Sequence, residues 1–294
     1  MDTEKCRLLL AAIESGSLTA AAEKMNYTTS GISRSIAALE EELGFSLLLR
    51  GRGGVSPMRE CKRLLPALRE LLRCEAHCRQ LCGEIRGLEV GEISVGTAYF
   101  KYYPRLCGWI AAFTQKYPGI QVQIIEGRSS ELSRRMDPGR LDFCIISCRE
   151  SRCRWIPLQE DELVILLPSA HPAAKEAALP LSFLEREPYI EIFPGQETDN
   201  SRLLQKSGIQ TQTRYTTSSD EAAFAMVQAG LGATLINSLQ LPQTDDSLAV
   251  LSLKPPHCVE IGIALPPAEE ISPAAKRFAA FVLKRLREET GVEP

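Results

Sequence analysis

The spacing of apolar residues changes near residue 90, and this change constrains the fold more than any other feature of the sequence. Before it, apolar residues recur every three or four positions, as on the buried face of an α-helix. After it, short strand-like runs alternate with amphipathic stretches. The sequence therefore predicts a mostly helical N-terminal part followed by an α/β part with mainly parallel sheets.

Length and composition are those of a globular protein with more than one domain. The chain has 294 residues, of which 44% are hydrophobic and 24% are charged. It contains no long uncharged apolar stretch, and acidic residues precede its first apolar run. We therefore expect neither a membrane helix nor a secretory signal, and we expect the protein in the cytoplasm.

Three helices and a hairpin are predicted at the start of the chain. Apolar spacing places the helices at about residues 4–13, 18–25 and 28–43, and a glycine follows the first and the third. A short apolar run and a Gly-rich basic loop then predict a small β-hairpin, or wing, over residues 45–57. Residues 1–58 are expected to form one small domain.

A long helix is predicted next, and residues 59–90 are expected to link the two parts of the chain. Its apolar residues alternate at spacings of three and four, a heptad pattern that favours dimerisation between two chains. For the leucines among them, packing against the protein's own body is the alternative. The predicted seam consists of Cys61, Leu64, Leu68, Leu71, Glu75, Cys78, Cys82 and Ile85.

Strands and helices alternate from residue 91 onward. Two such series in tandem predict a domain of residues 91–294 that consists of two subdomains with a cleft between them. We expect the first subdomain to hold about residues 91–162 and 266–294, and the second about residues 163–265. Ligands favour crevices at the carboxyl ends of strands, which predicts a small-molecule site in the cleft.

Charge is distributed unevenly along the chain. The formal net charge is -3 overall, whereas residues 1–90 hold 13 Lys and Arg against 12 Asp and Glu. Five basic residues and one acidic residue lie between positions 50 and 63. A local basic patch on an acidic protein is typical of a phosphate-binding surface, although by itself it is equally typical of a solvated face.

Ten cysteines and three histidines are the candidate metal and redox groups. They show no zinc-ligand spacing and no CxxC pair, so we expect no metal site and interpret most cysteines as small buried apolar residues. One group on the linker helix leaves metal binding or disulfides between chains as alternatives: Cys74, Cys78 and Cys82. A second group at the end of a predicted strand leaves thiol sensing as an alternative: Cys144, Cys148 and Cys153.

An enzyme is the main alternative from another class of protein. The sequence lacks a G-x-S-x-G elbow, a P-loop and a G-x-G-x-x-G fingerprint after a strand. A Cys–His hydrolase would use Cys258 beside His257, but adjacent residues on a strand point to opposite faces. We expect no enzymatic activity and no cofactor.

Several short motifs occur in a fixed order along the whole chain. They are SLTAAAE at 17–23, SRSIAALEEELG at 33–44, LLLR at 47–50, GEISVG at 91–96, YPG at 117–119, GRLD at 139–142 and VQAGLG at 227–232. Their residues and order resemble the LysR-type transcriptional regulators. Two segments depart from that family's usual pattern: residues 29–31 (TSG) at the start of the third helix and residues 57–61 (PMREC) after the wing.

The resemblance implies a winged helix-turn-helix whose third helix enters the DNA major groove. Helix spacing buries Ile32, Ile36 and Leu39, which leaves a polar face for the groove. On that face, Arg34 is expected to fork onto guanine or to clamp a phosphate. The expected DNA-binding residues are Thr19, Thr28, Thr29, Ser30, Ser33, Arg34, Arg50 and Arg52.

The resemblance also implies a periplasmic-binding-protein-like sensor that holds an effector between its subdomains. Hydroxyl and N–H groups at strand ends and helix starts suit a carboxylate or another small anion. Lys101, Arg128 or Arg149 would add positive charge to such a site. For each Ser or Thr alone, capping of the helix behind it is the alternative. The expected effector-binding residues are Thr97, Ala98, Arg128, Ser129, Ser147, Thr198, Thr217 and Ser218.

The partners follow from the same resemblance. We expect double-stranded DNA with an interrupted inverted repeat, a small-molecule effector, a homodimer through the linker helix and a homotetramer on DNA, with RNA polymerase as a further partner. A transport solute-binding protein would share the second part of the chain. It would have no use for residues 1–90.

Overall fold

The chain is described by a computed structural model that covers residues 1–51, 53–86, 89–136, 140–241 and 246–290. Its contacts divide the chain into two units, Met1–Leu88 and Glu89–Pro294. Arg52, one of the expected DNA-binding residues, and Gly139 of the GRLD motif lie outside the described residues. Within the described ranges, no helix combines the length and the apolar character that crossing a bilayer requires.

The first unit begins with three helices that have local caps at both ends. They are α1 (Thr3–Ser15), α2 (Leu18–Met25) and α3 (Thr29–Leu43). Side-chain oxygens of the preceding residues accept from the first turns: Asp2, Ser17 and Thr28. A residue in the left-handed conformation ends each helix: Gly16, Asn26 and Gly44.

The predicted hairpin follows α3 as the antiparallel strands β1 (Leu48–Gly51) and β2 (Gly54–Pro57). The backbone N–H of Val55 donates to the carbonyl of Gly16 at 2.8 Å, which fastens the hairpin to the end of α1. Gly54 permits this approach because its φ is +106° and a Cβ there would lie 2.2 Å from that carbonyl oxygen.

The long helix α4 (Arg59–Ile85) divides into two halves that differ in burial. Cys61 and Leu68 are fully buried in the core of the first unit, and Leu64 and Leu71 pack half-buried against it. The predicted seam was therefore wrong for Cys61 and Leu68, because their side of the helix packs into the core of the first unit, where α4 contacts α1 and β2. In the second half, Ile85 remains 85% exposed.

The second unit is an α/β structure that follows the predicted order of elements. Its helices are α5 (Tyr103–Lys116), α6 (Ser129–Met136), α7 (Asp199–Ser207), α8 (Asp220–Gln228) and α9 (Pro273–Thr290). Its strands are β3 (Gly91–Thr97), β4 (Ile120–Glu126), β5 (Phe143–Ser147), β6 (Arg154–Pro168), β7 (Ala178–Leu179), β8 (Pro188–Ile192), β9 (Gln212–Thr217), β10 (Thr234–Asn237), β11 (Leu248–Leu253) and β12 (Cys258–Leu265).

These strands form two lobes that share the long strand β6. In the first lobe the order is β4-β3-β5-β12-β6, and in the second lobe β10 and β11 pair with the later part of β6. The partner of β6 changes from β12 to β10 and β11 between Glu162 and Leu163. β8 pairs with β9 and is bridged through Tyr189 to Ala233, just before β10.

The expectation of mainly parallel sheets was wrong at the centre of both lobes. β3 is parallel to β4 and β5, as expected, but β12 is antiparallel to both β5 and β6. β10 and β11 are also antiparallel to β6. The reason is topological: β6 and β12 are the strands that pass between the lobes, and they run in opposite directions.

Apolar packing on both sheet faces explains the apolar run in β6. Leu163 and Ile165 belong to the core on one face of the second lobe, whereas Val164 and Leu166 belong to the core on the other. In the first lobe, Phe278 of α9 contacts the rings of Phe113 and Phe143 edge-to-face. Each lobe therefore has its own core, and the strand ends between them are left for polar groups.

Candidate functional site

The polar face of α3 is the candidate DNA-binding surface of the first unit. Thr29, Ser30 and Arg34 are exposed along it, whereas Ile32 and Ile36 on the opposite side are fully buried. Within the described part of the chain, Arg34 has no ion pair. This face can therefore offer a free guanidinium and two hydroxyls to a ligand without unfolding the helix.

The start of α3 explains the unusual Gly31. The Thr28 hydroxyl accepts from the Gly31 N–H at 3.0 Å and so caps the helix. A Cβ at Gly31 would lie 2.9 Å from that hydroxyl oxygen, closer than real Cβ contacts, so glycine keeps this tight cap unstrained. Thr28 thus has a structural role on the predicted surface, and Thr19 is exposed in the first turn of α2.

Arg50 lies against α3 instead of extending from the tip of the wing. Its Nη1 donates to the Ser33 hydroxyl at 2.8 Å, and its Nη2 lies 3.6 Å from a carboxylate oxygen of Glu40. Glu40 also accepts from the backbone N–H groups of Leu47 and Leu48, at 2.6 Å and 3.2 Å. Glu40, which sequence reasoning missed, therefore fixes the wing and Arg50 to α3.

The strand ends between the two lobes form the candidate effector site of the second unit. A small pocket opens there. Four of the expected effector-binding residues line it: Ala98, Arg128, Ser129 and Thr198. Arg149, which was expected to add charge, lines it as well. Residues that sequence reasoning did not select complete the lining: Tyr99, Ile192, Phe193, Asp199, Asn200, Asp220, Ile236, Asn237 and Gln240.

Asp199 lies at the centre of a buried network between the lobes. Its Oδ1 accepts from Arg149 Nη2 at 2.8 Å and from Ser147 Oγ at 2.9 Å, and its Oδ2 accepts from Tyr99 OH at 3.2 Å. The side chains of Asp199 and Arg149 are both 7% exposed. Burial, followed by the negative charge of Asp199, raises the pKa of the Tyr99 hydroxyl, which therefore stays protonated as a donor.

Serines behind the pocket hold this network in place. Ser129 Oγ accepts from the backbone N–H of Ser147 at 3.0 Å, and Arg149 Nη1 donates to Ser147 Oγ at 2.7 Å. Ser130 Oγ donates to the carbonyl of Glu197 at 2.6 Å, which adds a second link between the lobes. Ser147 was expected to contact an effector, but it is 1% exposed and bonded to Asp199 instead.

Three expected effector ligands are engaged in local turns or caps. The Thr97 hydroxyl accepts from the N–H of Tyr99, and the Thr217 hydroxyl accepts from the N–H of Ser219. Thr198 forms a capping box with Ser201 at the start of α7. Neither Thr217 nor Ser218 lines the pocket as described, whereas Thr97 lines an adjoining one.

Two charged residues of the pocket, Arg128 and Asp220, come from different lobes. Arg128 Nη2 lies 3.1 Å from Glu131, and its guanidinium lies 4.5 Å from the centroid of the Phe193 ring. Asp220 begins α8, where burial and then the charge of Glu221 raise its pKa to about 6 against the lowering effect of Arg128. The pocket can therefore change charge near pH 6.

The cysteines do not follow the expectation of burial. Six of the ten are exposed, including the three on the second half of α4; Cys6, Cys61 and Cys144 are buried. Burial, and then Glu260, raise the pKa of the exposed Cys148, which disfavours its reactive thiolate form. Across the described ranges, no three His, Cys, Asp or Glu side chains are grouped to hold a metal ion.

Comparisons with known proteins match both parts of the chain to one family. The family model of the bacterial regulatory helix-turn-helix protein, lysR family, matches residues 3–61, and that of the LysR substrate binding domain matches residues 86–287. The chain is 27% identical over 286 residues to the uncharacterized HTH-type transcriptional regulator YvbU of Bacillus subtilis, covering 95% of this chain and 96% of the relative.

Two solved structures share the fold. Full-length OxyR C199D from Pseudomonas aeruginosa has a TM-score of 0.70 at 20% identity, covering 98% of this chain and 95% of the other. CbnR complexed with its target DNA has a TM-score of 0.64 at 19% identity, covering 97% of this chain and 100% of the other.

Proposed function

The chain belongs to the LysR family of bacterial transcription regulators, and from this premise we propose how its own residues bind DNA and an effector. Members of this family carry a helix-turn-helix DNA-binding domain and an effector-binding domain, and they are regulators and not enzymes. Because a transcription regulator of this family acts on chromosomal DNA, we propose that the protein functions in the cytoplasm.

The recognition surface is the exposed face of α3. Thr29, Ser30 and Arg34 contact base edges or phosphates in the major groove, and Arg34 is the main contact. Arg50 acts together with Ser33, because its guanidinium is already hydrogen-bonded to that hydroxyl. The free guanidinium of Arg34 on an otherwise well-packed helix is the observation that carries this proposal.

Supporting contacts come from the helix starts and the wing. Thr19 and the free N–H groups of the first turn of α2 suit a phosphate. Thr28 acts indirectly, since its hydroxyl is used in capping α3. Arg52 is proposed as a contact from the sequence alone, because it lies outside the described residues.

Dimerisation is proposed through the second half of α4. Leu81 and Ile85 are exposed there, at 41% and 85%, on the helix that carries the heptad pattern. Two chains joined in this way would present two recognition helices to an interrupted inverted repeat. A homotetramer on DNA and a contact with RNA polymerase complete the proposed assembly.

The effector is proposed to bind between the two lobes of residues 91–294. We divide the lobes where the pairing partner of β6 changes. The first lobe then holds about residues 91–162 and 266–294, and the second about residues 163–265. The pocket at this junction supports the proposal, and it is lined by Ala98, Arg128, Ser129 and Thr198.

Replacement of Arg34 tests the DNA-binding surface. Arg34→Ala should weaken binding to a selected operator by about 5- to 150-fold, corresponding to about 1–3 kcal/mol, because a base or phosphate contact is lost. Lys5→Ala is the matched control, since it also removes one positive charge. Lys5 lies on α1 and pairs with Glu42 near the C-terminal end of α3, away from the proposed DNA contact. Equal losses for the two variants at the same salt concentration would contradict the assignment of Arg34.

A further inference from the structure

We propose that Asp199 is a built-in carboxylate that fills the anion-binding corner of the effector pocket and thereby excludes carboxylate effectors from it. The anion-binding corner consists of Tyr99, Ser147 and Arg149. This inference rests on the proposed effector site and deepens it, because it makes Asp199 the residue that sets the chemical class of effector accepted there.

The donors of the corner have the arrangement that a ligand carboxylate requires. A guanidinium, a serine hydroxyl and a tyrosine hydroxyl converge on one point, with donor distances of 2.8, 2.9 and 3.2 Å to the two oxygens of Asp199. A guanidinium with hydroxyl donors is a strong set for a carboxylate in a buried place. In this chain that carboxylate belongs to the protein itself.

Burial makes the corner unavailable to a ligand from solution. The side chains of Asp199 and Arg149 are each 7% exposed, and Ser147 and Tyr99 are buried as well. An external carboxylate would have to displace a carboxylate that the fold holds in place, and an attached group competes at a high effective concentration. Millimolar free carboxylate should therefore not enter.

The second cation of the pocket is also engaged by the protein. Arg128 lies 3.1 Å from Glu131 and over the ring of Phe193. Both guanidiniums that line the described pocket thus have a carboxylate partner within the chain. A carboxylate effector would therefore find neither guanidinium free. Recognition of an effector must come from the other groups that line the pocket.

The pairing also joins the lobes. Tyr99, Ser147 and Arg149 belong to the first lobe, whereas Asp199 is the first residue of α7 in the second. The Ser130 hydroxyl bonds to the carbonyl of Glu197 beside it. The closed position of the lobes is therefore held by a contact that needs no ligand.

Chemical rescue with formate tests the inference on the full-length protein. Asp199→Ala removes the carboxylate and leaves its space, which formate can fill; a site with a dissociation constant of about 1 mM would increase the folded-to-unfolded ratio about 100-fold at 100 mM formate. Asp199→Asn is the matched control because it fills the same space without the charge. Asp199→Ala/Arg149→Met removes the guanidinium as well.

In thermal unfolding, we expect formate to raise the melting temperature of Asp199→Ala relative to chloride, and to do so in this variant alone. If that variant is unfolded in chloride, formate should restore its folding. A gain of equal size in wild type would show an open corner and overturn the inference. An equal gain in the double variant, or no gain in folded Asp199→Ala, would also overturn it.

A second readout separates this inference from the proposed effector function. Formate that stabilises Asp199→Ala should also change its affinity for a selected operator by several fold, because the corner that it fills lies in the effector pocket at the junction of the two lobes. Stabilisation without any change in DNA affinity would support the assigned corner and contradict the effector role of the pocket.

Discussion

Glu40 provides a test of how the wing is attached to the recognition helix. One carboxylate oxygen accepts from the backbone N–H groups of both Leu47 and Leu48, and the other faces Arg50 at 3.6 Å. Glu40→Ala removes all three contacts at once. Glu40→Gln keeps one acceptor oxygen and loses only the charge.

The magnitude follows from the two N–H groups. Leu47 and Leu48 are 0% and 5% exposed, so their N–H groups should lack water as well as their acceptor in Glu40→Ala. A buried donor left without a partner costs about 1–3 kcal/mol, and the exposed pair with Arg50 adds little. We expect a local loss of about 2–4 kcal/mol, and about half of that in Glu40→Gln, since charge-assisted bonds are roughly twice as strong as neutral ones.

Amide hydrogen exchange in the intact protein measures this loss directly. Peptides that cover residues 45–58 should exchange about 30- to 700-fold faster in Glu40→Ala, which is the same free energy expressed as a ratio. Glu41→Ala, at an exposed neighbouring position, should change these peptides little. Equal protection in the two variants would refute the reasoning, as would faster exchange confined to α3.

Three further predictions concern the wing, the pocket and the dimer. Gly54→Ala should destabilise the wing by more than about 1 kcal/mol in hydrogen exchange because a Cβ would meet the Gly16 carbonyl, whereas Gly53→Ala, in open space, should not. Asp220 keeps its proton up to about pH 6 in the folded state but loses it at about pH 4 in the unfolded chain. The free energy of unfolding of the second unit should therefore fall by about 1–2 kcal/mol as the pH rises from about 4 to about 6. Thermal unfolding followed by tryptophan fluorescence should show this loss in wild type and not in Asp220→Asn. Leu81→Asp/Ile85→Asp should shift sedimentation velocity toward the monomer, and an unchanged dimer would place the interface elsewhere.

Local signals made the helices of the first unit predictable. The predicted helix over residues 18–25 has the same limits in the structure, because Ser17 and Asn26 cap it from adjacent positions. The attachment of the wing was not predictable. It depends on Glu40 accepting from residues seven and eight positions later, which no local pattern indicates.

Contacts between distant segments account for what sequence reasoning missed in the second unit. The order of strands and helices followed from apolar spacing, but strand direction depends on β6 and β12 passing between the lobes. Asp199 was not selected from the sequence, because an acidic residue in the first turn of a helix is common. Its partner Arg149 is 50 positions away, and only the folded chain brings them together.

Sequence-specific DNA binding is the central claim, and selection from a random pool of duplexes with the purified protein tests it most directly. The affinity of the selected duplexes would then be measured at several salt concentrations. We predict enrichment of an interrupted inverted repeat that is bound at least about 1,000-fold more tightly than scrambled DNA. A pool without enrichment, bound only weakly and only at low salt, would contradict the claim.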